Sequence, residues 1–176
     1  YAWGRDYHRA LAGKLRRVAA ALALAGGRQR AFVDSAPVME RDFAALAGLG
    51  WQGKSTMLLN RQRGTWLLLC GVLTTLELEP DRPARDHCGR CTRCIDACPT
   101  GAIVAPYRLD ARRCLSYLTI ENRGAIPEAF RAALGDRIFG CDDCLEACPW
   151  NRFAAVSRQT DFAMRPVLRE TPLRDF

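Results

Sequence analysis

Nine cysteines stand at 70, 88, 91, 94, 98, 114, 141, 144 and 148 of this 176-residue chain. Four of them fix the chemistry to consider first. Cys88-x2-Cys91-x2-Cys94-x3-Cys98-Pro99 has the spacing of bacterial runs that hold four-iron clusters. Three thiolates on one tight loop can wrap three irons of a cubane. The x3 step to Cys98 is one helical turn, and it sends the fourth thiolate to a second cluster. Pro99 lacks an N–H and ends that turn.

The run recurs fifty residues on: CTRCIDACP at 91–99 and CDDCLEACP at 141–149. This reads as a duplicated half-module. The second copy departs from the pattern at 138, where Ile138 stands in place of cysteine. Cys114 is the spare upstream thiol. The spacing therefore assigns Cys88, Cys91, Cys94 and Cys148 to cluster one, and Cys98, Cys114, Cys141 and Cys144 to cluster two. Two structural zinc sites of four thiolates each are the alternative. Cys70 lies in the apolar run Trp66–Leu73 and reads as a buried free thiol. Such a pair of clusters forms a short electron wire, so the module serves chemistry located elsewhere.

Composition narrows the partners. The formal charge is +7, and only Lys14 and Lys54 are lysines. Arginine-rich surfaces suit nucleic acid, since guanidinium groups fork onto phosphates and stack on bases; an arginine-biased genome gives the same composition. Two oxidised clusters of about −2 each would bring the charge to about +3. No run approaches the roughly 18 apolar residues of a membrane span. The chain begins at Tyr1 and stops at Phe176 in charged sequence, which suggests an internal segment of a longer protein.

Residues 48–55 read G-x-x-x-x-G-K-S, the string of a phosphate-cradling loop. Such a loop leaves a strand and opens a helix. Here MERDFAALA, of helical spacing, precedes it, and strand-like TMLLN follows. The order is reversed, so the glycines serve a close backbone passage instead. Lys54 is then free for an anionic group of a cofactor or RNA.

The elements that must position these residues follow. Leu11, Leu15, Val18 and Leu22 stripe a helix over 5–25, closed by Gly26-Gly27. Ala31–Val33 is a short strand ending at Asp34. Ser35 caps a helix over roughly 37–47. Thr56–Leu59 and Thr65–Thr74 are strands joined by the Arg61–Gly64 turn, with Trp66–Leu73 buried. Asp110–Leu118 is helical. Residues 79–83 link two parts, with the boundary near 80.

Taken together, VDSAPVMER (33–41), AGLGWQGKST (47–56), LELEPD (76–81), CGRCTRCIDACPTGAI (88–103), RCLSYLT (113–119) and GCDDCLEACPWN (140–151) resemble the epoxyqueuosine reductases. These are cobalamin-dependent iron–sulfur enzymes of tRNA queuosine synthesis. The likeness covers nearly the whole chain. It implies an α+β fold: a partial cobalamin-binding α/β domain (1–80), a ferredoxin-like module with two 4Fe–4S clusters (81–160), and the start of a connection to a further region (161–176). It implies a cytoplasmic, monomeric enzyme fed by an external low-potential electron donor, with no membrane. The epoxide at the tRNA wobble position would be opened reductively and its oxygen lost as water.

By the same resemblance, Asp34 takes the proton-donor position. A carboxyl against an apolar corrin face would have a raised pKa and donate near neutral pH. Asp34 itself, Leu58, Leu69, Ser116 and Asp142 fall on cobalamin-contact positions, and Arg123 is the candidate tRNA contact. Ser55 departs from the asparagine often found after the loop lysine. A corrinoid reductive dehalogenase resembles the same architecture, although Asp34 in VDSAP favours the tRNA enzyme. A bare two-cluster ferredoxin carrier and a zinc-stabilised RNA-binding domain are the readings from other classes.

Overall fold

The computed structural model describes residues 3–170. By contact, the chain forms two compact units, one of residues 1–40, 68–80 and 155–176, the other of 41–67 and 81–154. The boundary expected near residue 80 is thus one of four passages between units, with 40/41, 67/68 and 154/155. The connection expected over 161–176 runs past the described residues; within them it holds a helical turn at Thr160–Phe162 and a short helix at Pro166–Glu170.

In the first unit, helix α1 (Tyr7–Ala23) starts on Asp6, whose side chain accepts from the His8 N–H. Such a cap contributes about 1 kcal/mol. The helix closes three residues before Gly26, which sits at φ 99. Leu15 is its buried residue, while Val18 stays half exposed. The helix lies on a two-stranded antiparallel sheet of β1 (Gln29–Phe32) and a strand at Gly71–Thr74, registered from Gln29↔Thr74 to Phe32↔Gly71.

The expected buried strand over Trp66–Leu73 is corrected here. Only its last residues pair, and Trp66, Leu68 and Leu73 are exposed by 37–48%. Helix α1 covers one face of this sheet; on the other, Arg30 stands opposite Leu73 and both remain exposed. Cys70 is exposed as well, so the expectation of a buried thiol fails for the same reason.

Helix α2 (Glu40–Leu46) opens at the end of the first unit and runs into the second; it is shorter than expected because residues 36–40 form tight turns instead, Val38 N–H to Ala36 O at 2.7 Å and Glu40 N–H to Val38 O at 3.1 Å. Ser35 does not cap it; its hydroxyl donates to the Val33 carbonyl at 3.1 Å. A hairpin follows, of β2 (Trp51–Gln52) and β3 (Leu58–Leu59), where the sequence suggested one strand from Thr56. The Gly-Lys-Ser-Thr stretch is its turn, closed by Gly53 N–H to Met57 O at 2.8 Å. The helix expected over 110–118 breaks at Cys114, whose ψ of 121 is extended, into a helical turn at Ala111–Arg113 and a helix at Leu115–Ile120.

The two copies of the repeat adopt one conformation. Each forms a single helical turn, at Arg93–Asp96 and at Asp143–Glu146. Ile95 N–H to Thr92 O and Leu145 N–H to Asp142 O are both 2.8 Å. The two turns pack together. Around them lies the core of this unit: Trp51, Leu58, Leu59, Ala102, Ile103, Leu115, Leu118 and Leu145. Leu115 is 1% exposed, a burial worth about 2 kcal/mol. Asn151 fastens the hairpin to it. Its amide oxygen accepts from the Thr65 N–H and hydroxyl at 2.9 and 2.8 Å, and its amide donates to Leu145 O at 2.6 Å.

Candidate metal centre and catalytic residues

The thiols gather in two groups of four. Cys88, Cys91, Cys94 and Cys148 line a cavity of about 90 Å³, floored by Leu59 and walled by Lys54, His87 and Trp150. Cys98, Cys114, Cys141 and Cys144 line another of about 110 Å³, with Ser55, Met57, Ile103 and Leu115. Among the described residues no three His, Cys, Asp or Glu side chains converge closely enough for a single metal ion. The thiols of each group line a space, as the ligands of a polynuclear cluster do.

The protein's own groups point at these sulfurs. Ala102 N–H lies 3.1 Å from Cys98 Sγ, and Trp51 Nε1–H lies 3.5 Å from Cys88 Sγ. Both donors would stabilise thiolate ligands. Burial pushes the thiols of Cys94, Cys141 and Cys148 up, and Cys144 up to about 12, with the neighbouring cysteines adding to the effect. Sulfurs so crowded do not ionise together unaided. A cationic iron core inverts that balance.

The loop string GLGWQGKST builds the first cavity. A Cβ on Gly50 would lie 2.1 Å from Leu59 O, and one on Gly53 would lie 2.5 Å from Leu59 Cδ1 and 3.4 Å from Cys88 Sγ. Lys54 Nζ donates to Gly89 O at 2.7 Å and to Cys91 O at 3.0 Å. Its expected contact with a cofactor or RNA anion is therefore corrected: the ammonium staples the cysteine loop. Asp86 accepts from the Cys88 N–H at 2.6 Å and from the Tyr107 hydroxyl, while Tyr107 N–H reaches Lys54 O at 3.0 Å. Desolvation opposes ionisation of Asp86, but these donors and nearby Lys54 hold its carboxyl below the usual range. The same bond pushes Tyr107 up to about 12. Trp51, Asp86 and Tyr107 escaped the sequence reading. Only the placement of Asp86 two residues before Cys88 hinted at them.

Asp34 belongs to the first unit. It sits at φ 58 in the middle of a three-residue turn closed by Ser35 N–H to Val33 O at 2.6 Å. A non-glycine residue held there carries backbone strain of the kind that concentrates at functional sites. Its carboxylate is exposed, not enclosed. Tyr7 Oη donates to Oδ2 at 2.5 Å, and His8 Nε2 stands 3.5 Å from the same oxygen.

Of the five residues expected against cobalamin, Asp34 among them, the structure brings two together. Ser116 and Asp142 both line the second cavity. Desolvation and Asp143 raise the Asp142 carboxyl above its ordinary range. Leu58 is 4% exposed in the hairpin core, and half-buried Leu69 lies in the other unit. Arg123 is exposed on the loop before Pro127.

Comparison with known proteins agrees with this geometry. Residues 87–151 match the family model described as a 4Fe-4S double cluster binding domain, and residues 1–35 match that of epoxyqueuosine reductase QueG, DUF1730. An epoxyqueuosine reductase of Xanthomonas campestris pv. campestris is 54% identical over 94% of this chain and 47% of its own. A crystal structure of an epoxyqueuosine reductase with an epoxyqueuosine-modified tRNA-Tyr stem loop is similar at TM-score 0.81 and 39% identity, over 93% of this chain and 42% of that one. Another, from Bacillus subtilis with its aspartate catalytic loop swung out of the active site, matches at TM-score 0.78 and 38% identity over the same shares. The chain spans about half the length of the curated relatives it matches. With its cysteine cavities, its Asp34 turn and this likeness across both units, the chain belongs to the epoxyqueuosine reductase family.

Proposed function

We propose that this chain forms the electron-supplying and proton-donating part of an enzyme that reduces epoxyqueuosine to queuosine in tRNA. The observation that carries the reading is the pairing of two four-cysteine cavities with a strained aspartate turn in one family member. The likeness spans α1 and the Asp34 turn as well as the cysteine module, which a bare electron carrier does not account for.

Cys88, Cys91, Cys94 and Cys148 would hold one 4Fe–4S cluster and Cys98, Cys114, Cys141 and Cys144 the other, supplying single-electron transfer. Ser116 and Asp142, polar groups lining the second cavity, would hold a bound cobalamin. When bound, that group supplies a strongly reducing, nucleophilic cobalt. Leu69 would add apolar surface, and Leu58 would act indirectly, as hairpin core. Asp34 gives its proton to the epoxide oxygen, which leaves as water. Tyr7, bonded to Oδ2, fixes the direction in which the carboxyl points. In a Bacillus subtilis relative an aspartate catalytic loop is swung out of the active site, and an exposed carboxyl on a turn, as Asp34 has, would suit the same role. Arg123 contacts tRNA phosphate, which positions the RNA without reading its sequence.

The test uses the full-length protein, reconstituted anaerobically with iron, sulfide and cobalamin. It is given epoxyqueuosine-containing tRNA and a low-potential reductant. Queuosine forms, and Asp34→Asn and Asp34→Ala abolish its formation while keeping iron content and tRNA affinity. Wild-type turnover in both variants removes Asp34 from the chemistry.

A further inference from the structure

The start of α1 carries three chemistry-bearing residues in a row, Asp6, Tyr7 and His8, none of which the cysteine module uses. The helix start gathers them on Asp34. His8 Nδ1 lies 2.8 Å from Asp6 Oδ1, and its other nitrogen, Nε2, lies 3.5 Å from Asp34 Oδ2. The imidazole is stacked on the Tyr7 ring at 4.1 Å between centroids. Asp6 in turn stands 3.9 Å from Arg9 Nε.

This order of groups has a direction. A carboxylate on Nδ1 keeps a proton on that nitrogen, so Nε2 is the end that gains and loses one. Asp6 stabilises the imidazolium, and Asp34 is the acceptor nearest its free N–H. The 3.5 Å separation is long for a hydrogen bond, as such contacts often are before the reacting complex forms. On its far side the His8 ring borders a cavity of about 430 Å³, also lined by Arg16, Arg30 and Ser35. That cavity gives the ring access to solvent. The groups facing His8 are therefore Asp6 at bonding distance, Tyr7 stacked on the ring and Asp34 at 3.5 Å, with Arg9, Arg16 and Arg30 beyond.

Stoichiometry supplies the need. Turning an epoxide into an alkene and water takes two electrons and two protons, and a single carboxyl holds one proton. We propose that His8 reloads Asp34 within each turnover. This rests on the reading of Asp34 as proton donor. Once Asp34 has given up its proton, the His8 Nε2–H bond breaks and an Oδ2–H bond forms on Asp34. His8 becomes neutral imidazole, and an acid from solvent restores it. No electron moves in this step. His8 acts through Asp34 and does not touch substrate.

The experiment compares full-length wild type with His8→Ala, His8→Gln and Asp34→Asn. His8→Ala is expected to lower kcat about a hundredfold with KM for tRNA unchanged, and added imidazole restores turnover. His8→Gln, which keeps a polar group but carries no proton, stays slow and is not rescued. In ¹⁵N-histidine spectra of the cofactor-free protein, the His8 Nε2 signal moves in Asp34→Asn, because the acceptor beside it has changed. Wild-type kcat in both His8 variants, with Asp34→Asn inactive, overturns the relay alone. So does a slow His8→Ala that imidazole does not rescue, with the Nε2 signal unmoved. Full activity in Asp34→Asn overturns the donor reading and the relay together.

Discussion

Lys54 Nζ donates to the carbonyl oxygen of Gly89 at 2.7 Å, and so joins the hairpin turn to the cysteine loop. The second bond, to Cys91 O, makes the ammonium a two-point staple across that loop. Removing it leaves two carbonyls to be hydrated and the first cavity free to open. Lys54→Met is expected to destabilise the loop by about 1–3 kcal/mol. After anaerobic reconstitution it should hold about half the wild-type iron, the cluster in the second cavity being retained. Full iron content with an unchanged electron paramagnetic resonance spectrum would refute the staple.

Gly50 offers a sterner case, because a Cβ there would sit 2.1 Å from Leu59 O. Backbone cannot move aside as a side-chain tip can. Gly50→Ala is expected to cost roughly 3 kcal/mol or more and to lower the apparent Tm by about 6–12 °C. Differential scanning fluorimetry of the reconstituted protein measures it. A Tm within two or so degrees of wild type would count against the close approach.

The ligand crossing is read by paired substitutions. If Cys148 serves with Cys91, then Cys91→Ser with Cys148→Ser damages one site and keeps about half the iron. Cys91→Ser with Cys98→Ser damages both and keeps little. Mössbauer spectra of the two double variants decide it, and equal iron in both would dismantle the assignment.

Asp86 and Tyr107 share one hydrogen bond, seen from both ends as a lowered carboxyl and a phenol raised to about 12. The depressed carboxyl contributes stability that is present above its unfolded value of about 4 and lost as pH falls through its lower folded value. The raised phenol contributes stability that is full below about 10 and lost as pH rises towards 12. Tyr107 is 44% exposed, so solvent screening keeps both effects small. Tyr107→Phe should flatten the alkaline limb of the urea midpoint between pH 10 and 12 and shrink the acid one. Limbs identical to wild type would show that the bond contributes nothing.

Arg123 is exposed on its loop. Arg123→Ala is expected to weaken tRNA binding several-fold for every tRNA alike, and to reduce the salt slope of the affinity by about 0.7. Binding titrations across salt concentrations measure it; an unchanged slope would remove Arg123 from the phosphate contacts.

The cysteine module was legible in the sequence because its information is local. A run of x2 and x3 spacings, its repeat and its proline prescribe two helical turns, and the structure shows both. The displaced Cys114 could be placed only by elimination, yet it lines the cavity it was assigned to. What failed was long-range. An apolar stretch such as Trp66–Leu73 reads as buried only if something covers it, and local pattern does not say what does. Lys54 was read as free because its partners are carbonyls, groups that every residue has. Tyr7 and His8 lie 27 and 26 positions before Asp34, and nothing in their local pattern tied them to it.

The exchange of fourth cysteines between the two repeats has a consequence for heredity as much as for folding. Cys98 leaves its own run for the cavity of the second copy, and Cys148 leaves the second for the first. Deleting either run would not leave a smaller working unit: without the first, one site keeps Cys148 alone and the other lacks Cys98; without the second, one lacks Cys148 and the other keeps only Cys98 and Cys114. Once laced in this way, the ancestral duplication cannot be undone by a single excision, and the two halves are bound to be inherited together.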